Sequence, residues 1–456
     1  MARVIVGKKH CTVNPLKMGQ PIGAALAFMG VANSMPLLHG SQGCTSFGLV
    51  LFVRHFREAI PMQTTAMSEV ATVLGGFDNV EQAIVNIATR TNPSFIGICS
   101  TGVSEIKGDD LNGFLKVIRA AHPELDHIAL VDVSTPDFEG AFQDGWATAV
   151  TRMIEELVEI PLVETGLSRR MNVLPGCHLT PGDIDELRDI FESFSMDPVF
   201  LPDLSGALDG HIPTDFTPTT LGGISVSQIR SMGSACWTVA IGEQMRGAAI
   251  TLEHRTGVPY VVFERLTGLS ANDALMAFLS RASGVPVPKK YRRQRSQLVD
   301  AMLDGHFHFG GKKAAIAAEP DLLSAMSHWL HEMGCEIQVA VTTTASPVLE
   351  GIPADEVLVG DLEDLELGAQ GADLIVTHSH GRQAAERLGI PLFRVGIPVF
   401  DRLGAGHQLT VGYRGTRDLI FDVGNLLMAN MHEPSPETWM PRCPEARDLV
   451  TLQMPQ

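Results

Sequence analysis

The chain has 456 residues, of which 45% are hydrophobic, 19% charged and 6% aromatic, and its formal net charge is −18. That length and balance describe a globular protein of roughly two to four domains, with cores built mainly from Ala, Val, Ile, Leu and Met. The acidic excess argues against a nucleic-acid partner, which would call for clustered Lys and Arg.

The opening residues Met1-Ala2-Arg3-Val4-Ile5-Val6-Gly7 lack the apolar core of a secretory signal. The longest apolar stretch, residues 21–38, is interrupted by Gly23, Gly30, Asn33, Ser34 and Pro36 and is a poor membrane helix. A cytoplasmic location without membrane contact is expected. From there, short apolar runs alternate with helix-like runs. The predicted strands are 95–101, 128–134, 172–174, 199–201, 260–263, 314–318, 337–341, 374–377 and 392–395. Continuous apolar strands between amphipathic helices indicate parallel sheets covered on both faces.

Among the helices, 289–303 opens with the basic run Lys289-Lys290-Tyr291-Arg292-Arg293-Gln294-Arg295, read as a solvated face rather than an anion site. The helix 321–333 stops at Gly334, and 382–388 stops at Gly389 before Pro391. A last helix, 418–431, is expected to pack back on the body, with an irregular end beyond Pro434. The fold class is α/β, with mainly parallel sheets in three Rossmann-like domains: residues 1–166, 167–305 and 306–456. Such sheets bind ligands at the carboxyl ends of their strands.

Seven cysteines are scattered at positions 11, 44, 99, 177, 236, 335 and 443, with no Cys-x-x-Cys and no zinc spacing. Cys44 differs from the rest. It closes the polar loop His39-Gly40-Ser41-Gln42-Gly43-Cys44 after an apolar run, where a thiolate can stand at the edge of a core. On physical grounds it is either a small packed hydrophobe or a metal ligand. One thiolate cannot hold a cluster, so the ligand reading requires another chain. The other cysteines read as packing residues, with Cys177 and Cys236 bordering loops. The pair His378 and His380 reads as a hydrogen-bonding loop rather than a metal site. The loop 100–110 is no Walker A motif, and no nucleophile elbow occurs.

Several segments, in order, resemble the β-subunit family of nitrogenase component 1. They are Asn14 to Ala24 (NPLKMGQPIGA), the loop ending at Cys44, Arg54-His55-Phe56-Arg57-Glu58 and Leu74-Gly75-Gly76. Glu105-Ile106-Lys107-Gly108-Asp109-Asp110, Ile397-Pro398-Val399-Phe400-Asp401-Arg402 and Gly412-Tyr413-Arg414-Gly415 complete the series. The resemblance spans nearly the whole chain and implies the component 1 fold. In the catalytic β subunit of that family three cysteines help hold the eight-iron P-cluster. Their positions fall here on Gly19, Cys44 and Gly102, so the resemblance implies that no normal P-cluster forms.

A single surviving cysteine is similar to the β-like subunit of the family's cofactor-assembly scaffold. That likeness implies a [4Fe–4S] cluster shared with a NifE-like α subunit in an α2β2 heterotetramer. Cys44 would be its one ligand from this chain, with Gly19, Ser41, Gly43 and Gly102 around it. It further implies an iron–sulfur precursor of the iron–molybdenum cofactor, donated by NifB and bound transiently, mainly by the partner. The nitrogenase iron protein (NifH) would dock near Leu74, Gly75 and Gly76. The chain is then a scaffold in nitrogen fixation, without an active site of its own. The alternative is a subunit of a related reductase such as dark-operative protochlorophyllide reductase. Either way an apolar subunit interface is expected near residues 21–38.

Overall fold

The structure is a computed structural model, and it describes residues 1–7, 15–160 and 168–430. Fourteen strands occur among them. They are β1 (Arg3–Val6), β2 (Leu37–His39), β3 (Gln63–Thr64), β4 (Phe95–Ser100), β5 (Ala129–Val133), β6 (Arg170–Pro175), β7 (Asp197–Phe200), β8 (Trp237–Ile241), β9 (Tyr260–Phe263), β10 (Lys313–Ala318), β11 (Glu336–Thr342), β12 (Glu356–Val359), β13 (Leu374–Thr377) and β14 (Leu392–Arg394). They form three sheets, ordered β3-β2-β4-β5, β7-β6-β8-β9 and β1-β12-β11-β10-β13-β14. Every pairing between these strands is parallel. All nine expected strands are present.

Five strands were not expected. β2 and β3 have three and two residues, too short for a periodic signal. β1 pairs with β12, Arg3 opposite Glu356, so the start of the chain completes the third sheet rather than the first. No local pattern carries a partner so distant in sequence.

The helices begin with α1 (Gln20–Met29), α2 (Gln42–Phe56), α3 (Glu69–Leu74), α4 (Phe77–Thr91) and α5 (Gly102–Lys107). Every residue of α1 is buried. It is pressed against the helix Phe142–Leu157 and against β4. A Cβ on Gly23 would lie 1.9 Å from the Phe142 carbonyl oxygen, and one on Gly145 would lie 1.9 Å from that of Gln20. The two backbones touch because both crossing points lack side chains. This corrects the expected interface: residues 21–38 are apolar because they fill this chain's own core. Large exposed apolar side chains lie instead on α2 (Phe47, Val50, Val53), α3 (Val70, Val73) and α5 (Val103, Ile106).

The helix Lys289–Phe309 runs further than expected and packs against the final helix, Gly412–Ala429. Its basic opening is a solvated face. Tyr291 is buried, while Lys290 and Arg295 pair with Asp189 and Asp273 at 3.5 and 2.8 Å.

Candidate functional site

The carboxyl ends of β2, β4 and β5 converge and build the site. β2 ends at His39, which is buried. Its Nε2 lies 3.0 Å from Asp109 Oδ2 and its Nδ1 3.0 Å from Thr65 Oγ1. Burial lowers the imidazole pKa, against the opposing pull of Asp109. The His39 carbonyl accepts from Thr101 Oγ1 at 2.9 Å and from Ser104 Oγ at 3.1 Å, which ties β2 to the start of α5. Gly40 follows where a Cβ would stand 2.4 Å from Thr101 Oγ1, so the chain passes this point only without a side chain.

Ser41 is extended and precedes the first turn of α2, and its side chain caps nothing. The first-turn N–H groups therefore have no helical partner. Cys44 sits in that turn, half-buried, with its Sγ 3.5 Å from Ser41 Oγ. A cavity of about 420 Å³ opens beside it, and Gly19, Gly43, Asp137, His378 and His380 share its walls with Cys44 and an apolar set including Met18, Phe47 and Leu51. Gly102 borders the same place through Asp137, to which its N–H donates at 3.0 Å.

The donor chemistry matches one corner of a metal cluster. Cys44 is the single cysteine among the lining residues of that cavity, and no group of three or more His, Cys, Asp or Glu that could hold a metal ion occurs among the described residues. The other described thiols lie in other parts of the chain. Cys99 is buried in β4 with its pKa pushed well up by desolvation, and burial lifts that of Cys335 to about 12. Burial likewise raises Cys177, reinforced by Glu319 and Asp321, and raises half-buried Cys236. Cys11 and Cys443 lie outside the described residues.

His378 and His380 form a hydrogen-bonding loop at the cavity wall. The backbone N–H of His380 donates to His378 Nδ1 at 3.3 Å, and His378 Nε2 is 3.4 Å from the Leu16 carbonyl oxygen. Burial, with the neighbouring His380, holds His378 at about 4 and so uncharged at neutral pH.

The turn after α3 leans on the same framework. Gly75 has φ +129°, a conformation that favours glycine. A Cβ on Gly76 would meet His39 Cε1 at 2.4 Å and Asp109 Oδ2 at 2.9 Å. The Leu74-Gly75-Gly76 turn is thus in contact with the His39–Asp109 pair, five residues before Cys44. Exposed Val73 and Ile106 flank it.

Two features escaped the sequence reading. One is Asp137, an ordinary acidic residue in the loop after β5. The other is a buried polar junction around the helix Pro320–Glu332. There Gln143 N–H donates to Glu319 Oε2 at 3.2 Å, and Gln244 N–H donates to Asp321 Oδ2 at 3.0 Å. Burial pushes these carboxyls up to about 8 and about 6. Gln143 follows the first sheet, Gln244 follows β8 and the two acids follow β10, so one helix start joins all three sheets' surroundings.

A chain of three all-parallel sheets, with one thiol at the open carboxyl end of the first, has the form of a nitrogenase component 1 subunit. The family model for nitrogenase component 1 type oxidoreductases matches residues 19–428, and the chain belongs to that family. A solved structure of nitrogenase Cp1 at pH 6.5 superposes with a TM-score of 0.88 at 30% identity, covering 97% of both chains. Within the family the chain belongs with the NifN proteins. It is 64% identical over 446 residues to the nitrogenase iron-molybdenum cofactor biosynthesis protein NifN of Bradyrhizobium diazoefficiens, covering 96% of this chain and 95% of that one. It is 55% identical to the NifN of Mesorhizobium japonicum, covering 97% and 96%.

Proposed function

We propose that this chain is the β-like half of a scaffold on which the iron–molybdenum cofactor of nitrogenase is assembled. In this reading Cys44 gives one thiolate to a [4Fe–4S] cluster, and a NifE-type α subunit gives the other three in an α2β2 heterotetramer. The likeness to NifN proteins supports the role in cofactor biosynthesis. The observation that carries the cluster assignment is the half-buried thiol of Cys44 in an open cavity, with Gly19 and no second cysteine among the described lining residues. A four-iron cluster needs fewer thiolates than an eight-iron one, and the glycines are consistent with that economy.

When bound, the cluster supplies one-electron chemistry. The chain's own residues hold its ligand in place. Thr101 and Ser104 bind the His39 carbonyl, Gly40 lets the strand pass, and Ser41 starts the helix that carries Cys44. The turn Leu74-Gly75-Gly76, with α3 and α5 beside it, is the docking region for the nitrogenase iron protein. The cofactor precursor arrives from NifB and is held mainly by the partner. The chain acts in the cytoplasm as an assembly scaffold rather than as an independent enzyme. No helix among the described residues is long and apolar enough to cross a membrane.

The test is anaerobic purification of the chain with its NifE-type partner, with and without Cys44→Ala. The variant should lose the iron and the reduced-cluster EPR signal of this site while the complex stays assembled. An unchanged four-iron signal in Cys44→Ala would refute the assignment.

A further inference from the structure

The cavity that Cys44 lines also holds a carboxylate. Asp137 lies in the loop after β5, and its two oxygens face two separate glycines. A Cβ built on Gly19 would lie 3.0 Å from Oδ1, and one built on Gly102 would lie 3.4 Å from Oδ2. Gly102 N–H donates to Oδ2 at 3.0 Å and fixes the group there. Asp137 also lines the cavity that Cys44 opens onto. One side chain thus spans Gly19 and Gly102, in the cavity whose walls include the half-buried thiol of Cys44.

From this we infer that Asp137 is the charge this chain sets against the shared cluster: a carboxylate that neighbours the iron without ligating it and lowers the cluster's reduction potential. The inference rests on the cluster reading of Cys44 and adds a second residue to it. Its physics is simple. A fixed negative charge beside a redox centre opposes the arrival of an electron; Asp137 is exposed in this chain alone, and the effect grows once a partner subunit covers it. The alternative, that Asp137 merely caps the start of α5 through Gly102, predicts no effect on the potential.

Asp137→Asn separates the two. The amide has the same shape, and its oxygen can still accept from Gly102 N–H, so a capping role survives while the charge is lost. The experiment uses the anaerobic complex with its NifE-type partner, with an EPR-monitored redox titration and iron analysis. The expected result is full iron content with a midpoint potential shifted positive, and Asp137→Glu returning toward wild type. An unchanged midpoint in Asp137→Asn with the cluster in place would overturn the inference. So would loss of iron from an assembled Asp137→Asn complex, since that would make the carboxylate a ligand. Cys44→Ala run alongside keeps the failures apart. If it retains the cluster, the reading of Cys44 fails; if it loses the cluster and Asp137→Asn leaves the potential alone, only the role of Asp137 fails.

Discussion

Replacing Asp321 by Asn should stabilise the fold at neutral pH. Asp321 is fully buried at the start of the helix Pro320–Glu332, and its Oδ2 accepts from Gln244 N–H at 3.0 Å. It makes no ion pair within the described residues, and Gly242 passes so close that a Cβ there would lie 2.5 Å from the carboxylate. Burial is the largest influence and the neighbouring Glu243 adds to it, and together they raise the carboxyl from 3.8 to about 6. A raised acid pKa means that the folded state keeps its proton longer than the unfolded one. The stability is therefore fully present below about pH 4 and is lost as pH climbs through about 6. At about 1.4 kcal/mol per unit, an interval of roughly two units caps the loss near 3 kcal/mol. Asn stays neutral, and its amide oxygen still accepts from Gln244. The two proteins should be close in stability at pH 4.5, and the variant should be ahead by up to about 3 kcal/mol at pH 7.5. In the purified complex this appears as a rise in Tm of a few degrees that grows with pH. Scanning fluorimetry across pH 4.5 to 8 measures it. Parallel Tm curves, or a variant that falls behind as pH rises, would refute the reasoning.

Two further changes probe the turn proposed for docking and its surroundings. Gly76→Ala puts a methyl group 2.4 Å from the His39 ring, which is buried and held by Thr65 and Asp109, so the strain falls on the segment leading to Cys44. It should cost about 1–3 kcal/mol and alter the cluster's EPR line shape; a normal Tm and spectrum would show that the turn and the Cys44 loop are independent. Ile106→Asp changes a side chain that is 79% exposed, so stability should move by no more than about 0.5 kcal/mol. Binding of the iron protein in an anaerobic pull-down should weaken, and undiminished binding would remove α5 from the docking surface.

Legibility from sequence followed the range of the interactions. β10 and β13 announce themselves because each is an apolar run ended by a polar loop, the local signature of a buried parallel strand. β8, Trp237-Thr238-Val239-Ala240-Ile241, carries a similar signal and is absent from the expected strands. β1 is different in kind: its partner is more than three hundred residues away. Cys44 stood out because its loop has a distinctive composition. Asp137 did not, because its meaning lies in being opposite Gly19 and Gly102, which are 118 and 35 positions distant and are brought together only by the parallel crossovers of the first sheet. The misplaced interface has the same origin. Hydropathy marks residues 21–38 as buried but cannot say whether by this chain or by another.

The correction of that interface bears on how a half-site can exist at all. A subunit that used its most apolar segment for its partner would lack a core when alone. Here α1 is enclosed by the helix Phe142–Leu157 and β4, so this chain's own residues build the framework behind the cavity. Among the exposed apolar side chains are Phe47, Val50 and Val53 on the helix that carries Cys44, and Val73 and Ile106 beside the Gly75-Gly76 turn. On the proposed reading these are two neighbouring surfaces with different duties, one closing over the cluster and one receiving the iron protein. The His39–Asp109 pair lies between them, in contact with Gly76 on one side and continuous with the Cys44 loop on the other. A rigid buried pair at that point transmits displacement better than a flexible one, since close-packed interiors yield little. On the same reading, docking at the turn would reach the proposed Cys44 ligand through this buried pair.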